Sequence, residues 1–260
     1  MAKRTSMGRS IEVLLSLAEH SGDTSSPWRV GQLATAMERE RSQLSRTLSQ
    51  ALTSGLVEHT RGGYRTSVLT YGIAQALTSQ RLRTDGLTVL ERLSERTGES
   101  CFLGELFGDS TVTFAESLAG DTELFASWVG RAYPAVSSDA GQATLWDASD
   151  DEVRAVLAGT DFRSGGPNAA ASPEDFLARL ATARERGYSI VDEEAEDGLF
   201  SVAAPVFDFR GEAVAALQIV GERTALAPRV AELGAACAEA ARELTALIGG
   251  RLAAGGDAGE

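Results

Sequence analysis

Apolar residues in the first 55 positions recur every three or four residues, in three segments that are separated by polar turns. This spacing places the apolar side chains of each segment on one face of a helix. It predicts a first helix over about residues 7–20 and a second, short helix over 30–37. A third helix is predicted to begin at Ser42, whose hydroxyl can act as the N-cap.

The pattern becomes strand-like directly after the third helix. Leu56–His59 and Tyr64–Thr66 are predicted as two short strands, and Arg61-Gly62-Gly63 between them provides a tight turn. Helix, helix, turn, helix and hairpin in this order predict a winged helix-turn-helix. A fold of this kind is typical of DNA-binding proteins.

Charge is distributed unevenly along the chain. The net charge of -13 alone argues against a nucleic-acid partner. Up to Thr84, however, 11 Lys and Arg residues stand against 6 Asp and Glu residues, whereas the remainder has 13 against 31. A basic segment followed by an acidic one indicates a DNA-binding module joined to a domain with another task, although an accidental split of surface charge would give the same counts.

The middle of the chain is mostly helical and the rest alternates between short strands and helices. We interpret Leu69–Arg96 as a helical interdomain linker, with an interruption at Asp85-Gly86. Beyond Gly98, strands beside segregated helices predict an α+β domain with a largely antiparallel sheet. The strand-like runs lie at 101–107, 112–117, 187–191, 200–207 and 213–220. The predicted parts are a winged helix-turn-helix domain (1–68), the linker (69–97), the second domain (98–250) and a flexible Ala-Gly tail (251–260).

Several classes of protein are disfavoured by composition. No apolar run approaches the roughly 20 residues that span a bilayer, and the N-terminus lacks the apolar core of a signal peptide, so we expect a cytoplasmic protein without a membrane partner. The two cysteines, Cys101 and Cys237, form no ligand cluster, so we expect no metal and no cofactor.

Catalysis is also disfavoured by the residues available for it. The two histidines, His20 and His59, lie in the predicted DNA-binding domain, and the cysteines sit among apolar neighbours. We therefore predict that the chain is not an enzyme. Redox sensing by Cys101 or Cys237 and regulation by a partner protein without a small-molecule ligand remain as alternatives.

The third helix carries the residues predicted to read DNA. The second helix of a helix-turn-helix enters the major groove, where glutamine pairs with adenine, arginine with guanine and serine with either. The predicted base contacts are Ser42, Gln43, Ser45 and Arg46, and the predicted phosphate contacts are Arg41, Arg61 and Arg65. A solvated helix face would show the same polar residues, but the surrounding motif favours DNA recognition.

Several segments along the chain together resemble the IclR family of bacterial regulators, from about Arg9 to Gly249. They are Gln32-Leu33-Ala34, Ser42–Gly55, Leu93–Glu99, Ala181–Tyr188, Val191–Glu194, Gly198-Leu199 and Val202–Val206. The resemblance implies a winged helix joined to a GAF-like effector-binding domain. It also implies a homodimer that pairs through the DNA-binding domains, or a dimer of dimers, on a palindromic operator in double-stranded DNA.

The sequence departs from the family pattern in three places. Glu38 stands where the inter-helix turn often has glycine, the wing is short, and residues 137–142 replace a usual His-Ala-Thr-Ala-Leu-Gly-Lys pattern. The last departure puts in doubt any ligand identity taken from the family.

Correspondence with family segments implies a pocket for a small organic effector, with aromatic compounds among the candidates, in a regulator of catabolic genes. The ligand-binding candidates are Phe125, Trp128, Ser138, Asp139, Ser201 and Gln218. Core packing of the aromatic residues, an N-cap role for Asp139 and backbone hydrogen bonding by Ser201 and Gln218 are the alternatives for these positions.

Overall fold

The computed structural model describes residues 6–19, 27–120, 127–163 and 165–250. The chain divides into two compact units, residues 1–77 and 78–260. The predicted tail lies outside the described residues. No helix in the described ranges has the length and apolar character needed to cross a membrane.

The first unit is a small helical bundle with a hairpin. Its elements are α1 (Ser6–Glu19), α2 (Val30–Ala36), α3 (Arg41–Thr53), β1 (Val57–Thr60), β2 (Gly63–Thr66) and the start of α4 (Val68–Thr97). The three helices and the antiparallel hairpin therefore occur where the sequence predicts them. Leu17, Leu33, Leu44 and Leu48 are almost completely buried and form the core between the three helices.

The hairpin is extended by a segment that precedes α2. Trp28 and Tyr64 exchange two backbone hydrogen bonds of 2.8 Å, so Trp28 forms an isolated bridge beside β2. Gly63, at this point of β2, has a φ of 144° and a virtual Cβ would lie 2.3 Å from the Trp28 carbonyl oxygen. Only glycine fits here, because any side chain would collide with the Trp28 backbone.

Helix α4 is continuous over 30 residues, so the predicted interruption at Asp85-Gly86 is wrong. Arg81 donates to Asp85 across one helical turn at 2.7 Å. Gly86 is buried, and a Cβ there would lie 2.7 Å from Leu103 Cδ1. The glycine therefore allows the helix to approach the sheet closely rather than ending it.

The second unit is built on a six-stranded sheet in which every neighbouring pair is antiparallel, as predicted. Its strands, in chain order, are β3 (Ser100–Phe107), β4 (Ser110–Ser117), β5 (Ala132–Pro134), β6 (Ser189–Asp192), β7 (Leu199–Phe207) and β8 (Ala213–Glu222). Their order across the sheet is β5-β4-β3-β8-β7-β6. Strands β3 and β8 lie in the centre and are paired with each other from Ser100 to Gly104.

Helices contact both faces of this sheet. They are α5 (Gly141–Thr144), α6 (Asp150–Val156), α7 (Pro173–Arg186), α8 (Arg223–Leu226), a short 3-10 helix (Ala227–Arg229) and α9 (Val230–Leu247). Helix α9 and the second half of α4 share one apolar core with alternate residues of the central strands, among them Leu103 and Leu217. The residues between them, such as Phe102 and Gln218, face the opposite side, because successive strand residues alternate between faces.

Candidate functional site

Helix α3 presents a polar face to solvent. The four residues predicted to contact bases are all exposed: Ser42, Gln43, Ser45 and Arg46. On the opposite face, Leu44 and Leu48 are buried in the core of the first unit. The helix is therefore anchored by its leucines and offers amide, hydroxyl and guanidinium groups on one exposed side.

The start of α3 differs from the prediction. The helix begins at Arg41 and its N-cap is Glu40, so the assignment of Ser42 as the N-cap is wrong. The Ser42 hydroxyl instead donates to the Glu40 carboxylate. In the preceding turn, Glu38 has a φ of 51°, in the left-handed region that favours glycine. This explains why glycine is usual at that turn position.

The arginines near α3 and the hairpin differ in their surroundings. Arg41 and Arg61 are exposed, and Arg61 lies in the turn between β1 and β2. Arg65 on β2 is also exposed and pairs with Glu58 on the neighbouring strand. Arg39 pairs with Glu12 of α1, so part of its charge is offset within the unit.

The second unit contains a cavity on the sheet face opposite α9. It lies between the sheet, the segment that leads into α5 and the segment before β7, and its own volume is only about 20 Å³. It adjoins a wider groove of about 770 Å³ that shares the Phe102 and Trp128 rings with it. The lining residues are Phe102, Gly104, Thr111, Thr113, Trp128, Tyr133, Ser138, Asp139, Ala140, Ala195, Glu196, Leu199, Gln218 and Val220. Aromatic and apolar walls with a few polar groups are typical of a small-molecule site.

Three aromatic rings form one wall of this cavity. Trp128 stacks on Tyr133, with ring centroids 5.5 Å apart and an angle of 24° between the planes. Phe102 also lies against Trp128, with a centroid distance of 5.7 Å and an angle of 41° between the planes. The Trp128 backbone N–H donates to the Glu116 carboxylate at 2.9 Å, which holds the tryptophan beside β4. Such a wall can stack against a planar ligand.

The polar part of the cavity is centred on Asp139. Its side chain is only 6% exposed, and Oδ1 accepts a 2.5 Å hydrogen bond from the Ser201 hydroxyl. Ser138, one residue before it, shares a hydrogen bond with Thr111 of β4 and accepts from the Ala140 N–H at 3.1 Å. These bonds fix the turn that leads into α5 and hold the Asp139 carboxylate against the sheet.

The region that contains this cavity matches a known protein domain. Residues 74–246 match the sequence model described as the bacterial transcriptional regulator IclR C-terminal domain, which is well over half of the chain. The chain belongs to the IclR family of bacterial transcriptional regulators. The family resemblance predicted from the sequence is confirmed.

Relatives and solved structures of the IclR family agree with this assignment. The chain is 27% identical over 218 residues to the Pca regulon regulatory protein of Pseudomonas putida, a match that covers 83% of this chain and 73% of that protein. Matches to several other relatives span only 52 to 60% of those proteins. A putative IclR regulator from Silicibacter sp. TM1040 has the same fold, with a TM-score of 0.67 and 20% identity over 94% of this chain and 98% of that one.

A second solved structure includes a small molecule. It is an IclR homologue from Microbacterium hydrocarbonoxydans in complex with 4-hydroxybenzoate, with a TM-score of 0.58 and 19% identity over 92% of this chain and 98% of that one. At this identity the likeness shows the fold.

The cavity brings together four of the six residues that the sequence nominated for ligand binding. Trp128, Ser138, Asp139 and Gln218 line it, and their binding role stays a prediction. Ser201 is not part of the lining but donates to Asp139. Phe125 lies outside the described residues.

Strand alternation separates the nominated residues from their neighbours in sequence. Phe200 and Ile219, which adjoin Ser201 and Gln218, belong to the core on the α9 side of the sheet. Sequence reasoning missed these seven lining residues: Phe102, Gly104, Thr111, Thr113, Tyr133, Ala195 and Glu196. The mixture of aromatic, glycine and threonine residues on the same face of β3 and β4 is the signal that could have indicated them.

Both cysteines are unsuited to redox sensing. Cys101 and Cys237 are completely buried. Burial raises the pKa of Cys101 to about 12 and that of Cys237 well above its usual value. A thiol-based sensor needs an accessible thiolate, so this alternative is disfavoured.

Buried carboxylates beside the cavity give the stability of the protein a distinctive pH dependence. Burial raises the pKa of Asp139 from 3.8 to about 6; the Ser201 hydrogen bond opposes this shift and the nearby Glu196 charge adds to it. A group whose pKa is higher in the folded state stabilises the fold at low pH, and this contribution is lost as pH rises. The stability contributed by Asp139 should therefore fall between about pH 4 and 6.

The variant Asp139→Asn removes this titration, so its stability relative to the wild type should increase between about pH 4 and 6, by up to about 3 kcal/mol. Urea unfolding of both proteins at several pH values measures the difference. Ser201→Ala should extend the dependence to higher pH, since the hydrogen bond from Ser201 opposes the shift. Parallel stability curves for Asp139→Asn and the wild type would contradict this prediction.

Proposed function

We propose that this IclR-family regulator binds a palindromic DNA operator with a winged helix-turn-helix (residues 1–68) and adjusts its operator affinity when a small aromatic molecule occupies the second unit. The cavity with its wall of three aromatic rings is the observation that carries the sensing role. In this proposal, residues 98–250 form a GAF-like effector-binding domain and residues 69–97 are the linker.

The surface of α3 supports the DNA-binding part of the proposal. A guanidinium and an amide on one exposed helix face, at Arg46 and Gln43, are the groups that pair with guanine and adenine in the major groove. In this proposal, Arg41 at the first turn of α3 and Arg61 and Arg65 in the hairpin contact phosphates. All three are exposed, which supports this role.

Exposed apolar side chains support pairing of two copies through the first unit. Ile11 and Leu15 on α1, and Leu69, Ile73 and Leu77 on α4, are large apolar residues that all remain exposed. Exposed apolar groups of this size are typical of interaction surfaces. A homodimer that covers them would present two copies of α3 to the two halves of a palindrome.

The aromatic wall supports an aromatic effector. A related protein of the same fold has been crystallised with 4-hydroxybenzoate. In this chain, the stacked Trp128 and Tyr133 can hold a planar ring, and Asp139 and Gln218 can orient a polar substituent. Helix α4 has residues in both units, so it is the element that we propose transmits occupancy of the cavity to the DNA-binding unit.

Selection from random double-stranded DNA tests this function. The full-length protein should enrich a palindromic sequence. Its affinity for that duplex should fall by about three orders of magnitude between about 50 and 200 mM salt, because two copies of the three candidate arginines give about six phosphate contacts. Enrichment without a palindrome, or binding that does not respond to salt, would contradict the proposal.

The same duplex tests the sensing role. A ligand of the cavity must change the affinity for the duplex, and the duplex must change the affinity for the ligand by the same factor. Calorimetric titration of the protein with ligand, with and without the duplex, measures this coupling. Equal ligand affinities in the two titrations would leave a binding site without a regulatory role.

A further inference from the structure

The cavity is acidic. Two of its lining residues carry charge, Asp139 and Glu196, and among the described lining residues none is Lys, Arg or His. A third carboxylate, Glu194, is buried close enough for its charge to be affected by Asp139.

The groove next to the cavity has the same sign of charge. It shares Phe102, Trp128, Glu196, Leu199 and Val220 with the cavity, so the two adjoin. Its charged lining residues are Glu99, Glu193, Glu196, Asp197, Glu222 and Arg223. Arg229 pairs with Glu99 at 2.7 Å, which leaves four carboxylates against Arg223 in the groove. This excess produces a negative potential that attracts cations and repels anions at the entrance.

The arginines closest to these carboxylates are already paired. Arg179 donates to the Asp175 carboxylate and lies 3.1 Å from Glu194 Oε1. Arg223 makes two hydrogen bonds to Asp192, of 2.5 and 3.2 Å. Neither guanidinium can turn towards a ligand without leaving a carboxylate unpaired, which would be costly for the buried Glu194.

We propose that the effector is an aromatic compound whose polar end donates hydrogen bonds, as in an amide, an amine or an amidine, and that it carries no carboxylate. This inference depends on the sensing role proposed above and specifies the chemical class of the ligand. The proposed ligand class distinguishes the cavity of this chain from a site that binds an aromatic acid.

The physical reason is the partner available at the polar end of the cavity. The Asp139 carboxylate accepts from the Ser201 hydroxyl and from the Asp139 backbone N–H. A carboxylate has about four acceptor positions, so it can accept a further hydrogen bond from a ligand N–H. A ligand carboxylate would instead place like charges side by side in a desolvated site without a cation. The Thr113 hydroxyl and the Gln218 amide can orient either ligand, but they do not neutralise a charge.

The aromatic wall favours the same class. The faces of Trp128 and Tyr133 carry negative electrostatic potential, which attracts a cationic or electron-poor ring and its N–H groups. An amidinium or amide substituent directed at Asp139 would allow its ring to lie along this wall. Stacking and charge therefore select for the same kind of molecule.

Three compounds of nearly equal shape test the inference. Benzoate, benzamide and benzamidine place an anion, a neutral amide and a cation on the same ring. With the full-length protein at pH 7.5, benzamidine and benzamide should each bind at least about tenfold more tightly than benzoate in calorimetric titrations. Asp139→Asn should remove most of the preference for benzamidine, and Trp128→Ala should weaken benzamidine and benzamide alike.

Glu196→Gln provides a second variant, since its side chain is exposed and its replacement does not disturb the core. It should lower benzamidine affinity by a smaller factor and leave benzamide unchanged. Benzoate binding as tightly as the other two would overturn the inferred ligand class, while Trp128-dependent binding would still support an aromatic sensor. If none of the three bound at millimolar concentration, both the inference and the proposed sensing role would be overturned.

Discussion

Replacement of Arg46 by alanine should weaken binding of the selected operator duplex by about 10- to 100-fold, because a bidentate contact to guanine contributes about 1–3 kcal/mol. Arg46 is exposed on the polar face of α3, next to the buried leucines that anchor the helix. Its removal therefore takes away a recognition group without opening the core. Thermal stability and ligand binding in the second unit should remain as in the wild type.

Two further arginine variants separate recognition from charge. Arg163→Ala removes an exposed arginine from the second unit and should leave DNA affinity unchanged. Arg41→Ala should weaken all duplexes to a similar extent, as expected for a phosphate contact, whereas Arg46→Ala should weaken the selected duplex more than a scrambled one. Fluorescence anisotropy with both duplexes measures these ratios. Equal binding of the selected duplex by Arg46→Ala and wild type would remove α3 as the reading helix.

The elements of the first unit could be predicted because their signals are local. Leu44 and Leu48 are four residues apart and both are buried. The spacing of apolar residues in the sequence therefore identifies the buried face of α3 directly. The turn at Arg61-Gly62 likewise lies between strands of four residues each. The N-cap could not be located in this way, since Glu40 and Ser42 are both acceptable polar residues near the helix start.

The predicted break in α4 shows where local rules fail. Asp and Gly together are a strong turn signal in sequence. In the folded chain Asp85 is paired with Arg81, and Gly86 makes room for Leu103 of β3. A partner more than fifteen residues away in sequence therefore decides the role of this glycine. No local pattern contains that information.

The cavity was predicted in part for a similar reason. The sequence nominated four lining residues because they lie in segments that resemble those of the family: Trp128, Ser138, Asp139 and Gln218. Thr111 and Thr113 on β4 are buried and line the cavity because β4 pairs with β3 in the sheet, a contact that becomes visible only with the strand register. Residues 137–142, which depart from the family pattern, include Asp139 and contribute the polar end of the cavity.

The turn that holds Asp139 depends on one glycine, and its replacement should have a large effect. A Cβ at Gly141 would lie 1.7 Å from the Ala135 carbonyl oxygen, which is backbone and cannot rotate away. In Gly141→Ala the segment from Ala135 to Gly141 must therefore open. Overpacking of this kind typically destabilises a protein by about 3 kcal/mol or more when backbone has to move.

We expect Gly141→Ala to lower the melting temperature of the second unit by roughly 10 °C and to abolish benzamidine binding, because Ser138 and Asp139 lie within the displaced segment. Gly159→Ala is the matched control: this glycine is exposed, a Cβ there meets no atom within 4 Å, and its φ is not in the left-handed region. The control should change stability by no more than about 0.5 kcal/mol.

Differential scanning calorimetry with both variants, followed by ligand titration below the transition, separates loss of the fold from loss of the site. The prediction would be contradicted if Gly141→Ala had the same melting temperature and the same benzamidine affinity as Gly159→Ala. The close approach of α5 to Ala135 would then not be what positions Asp139.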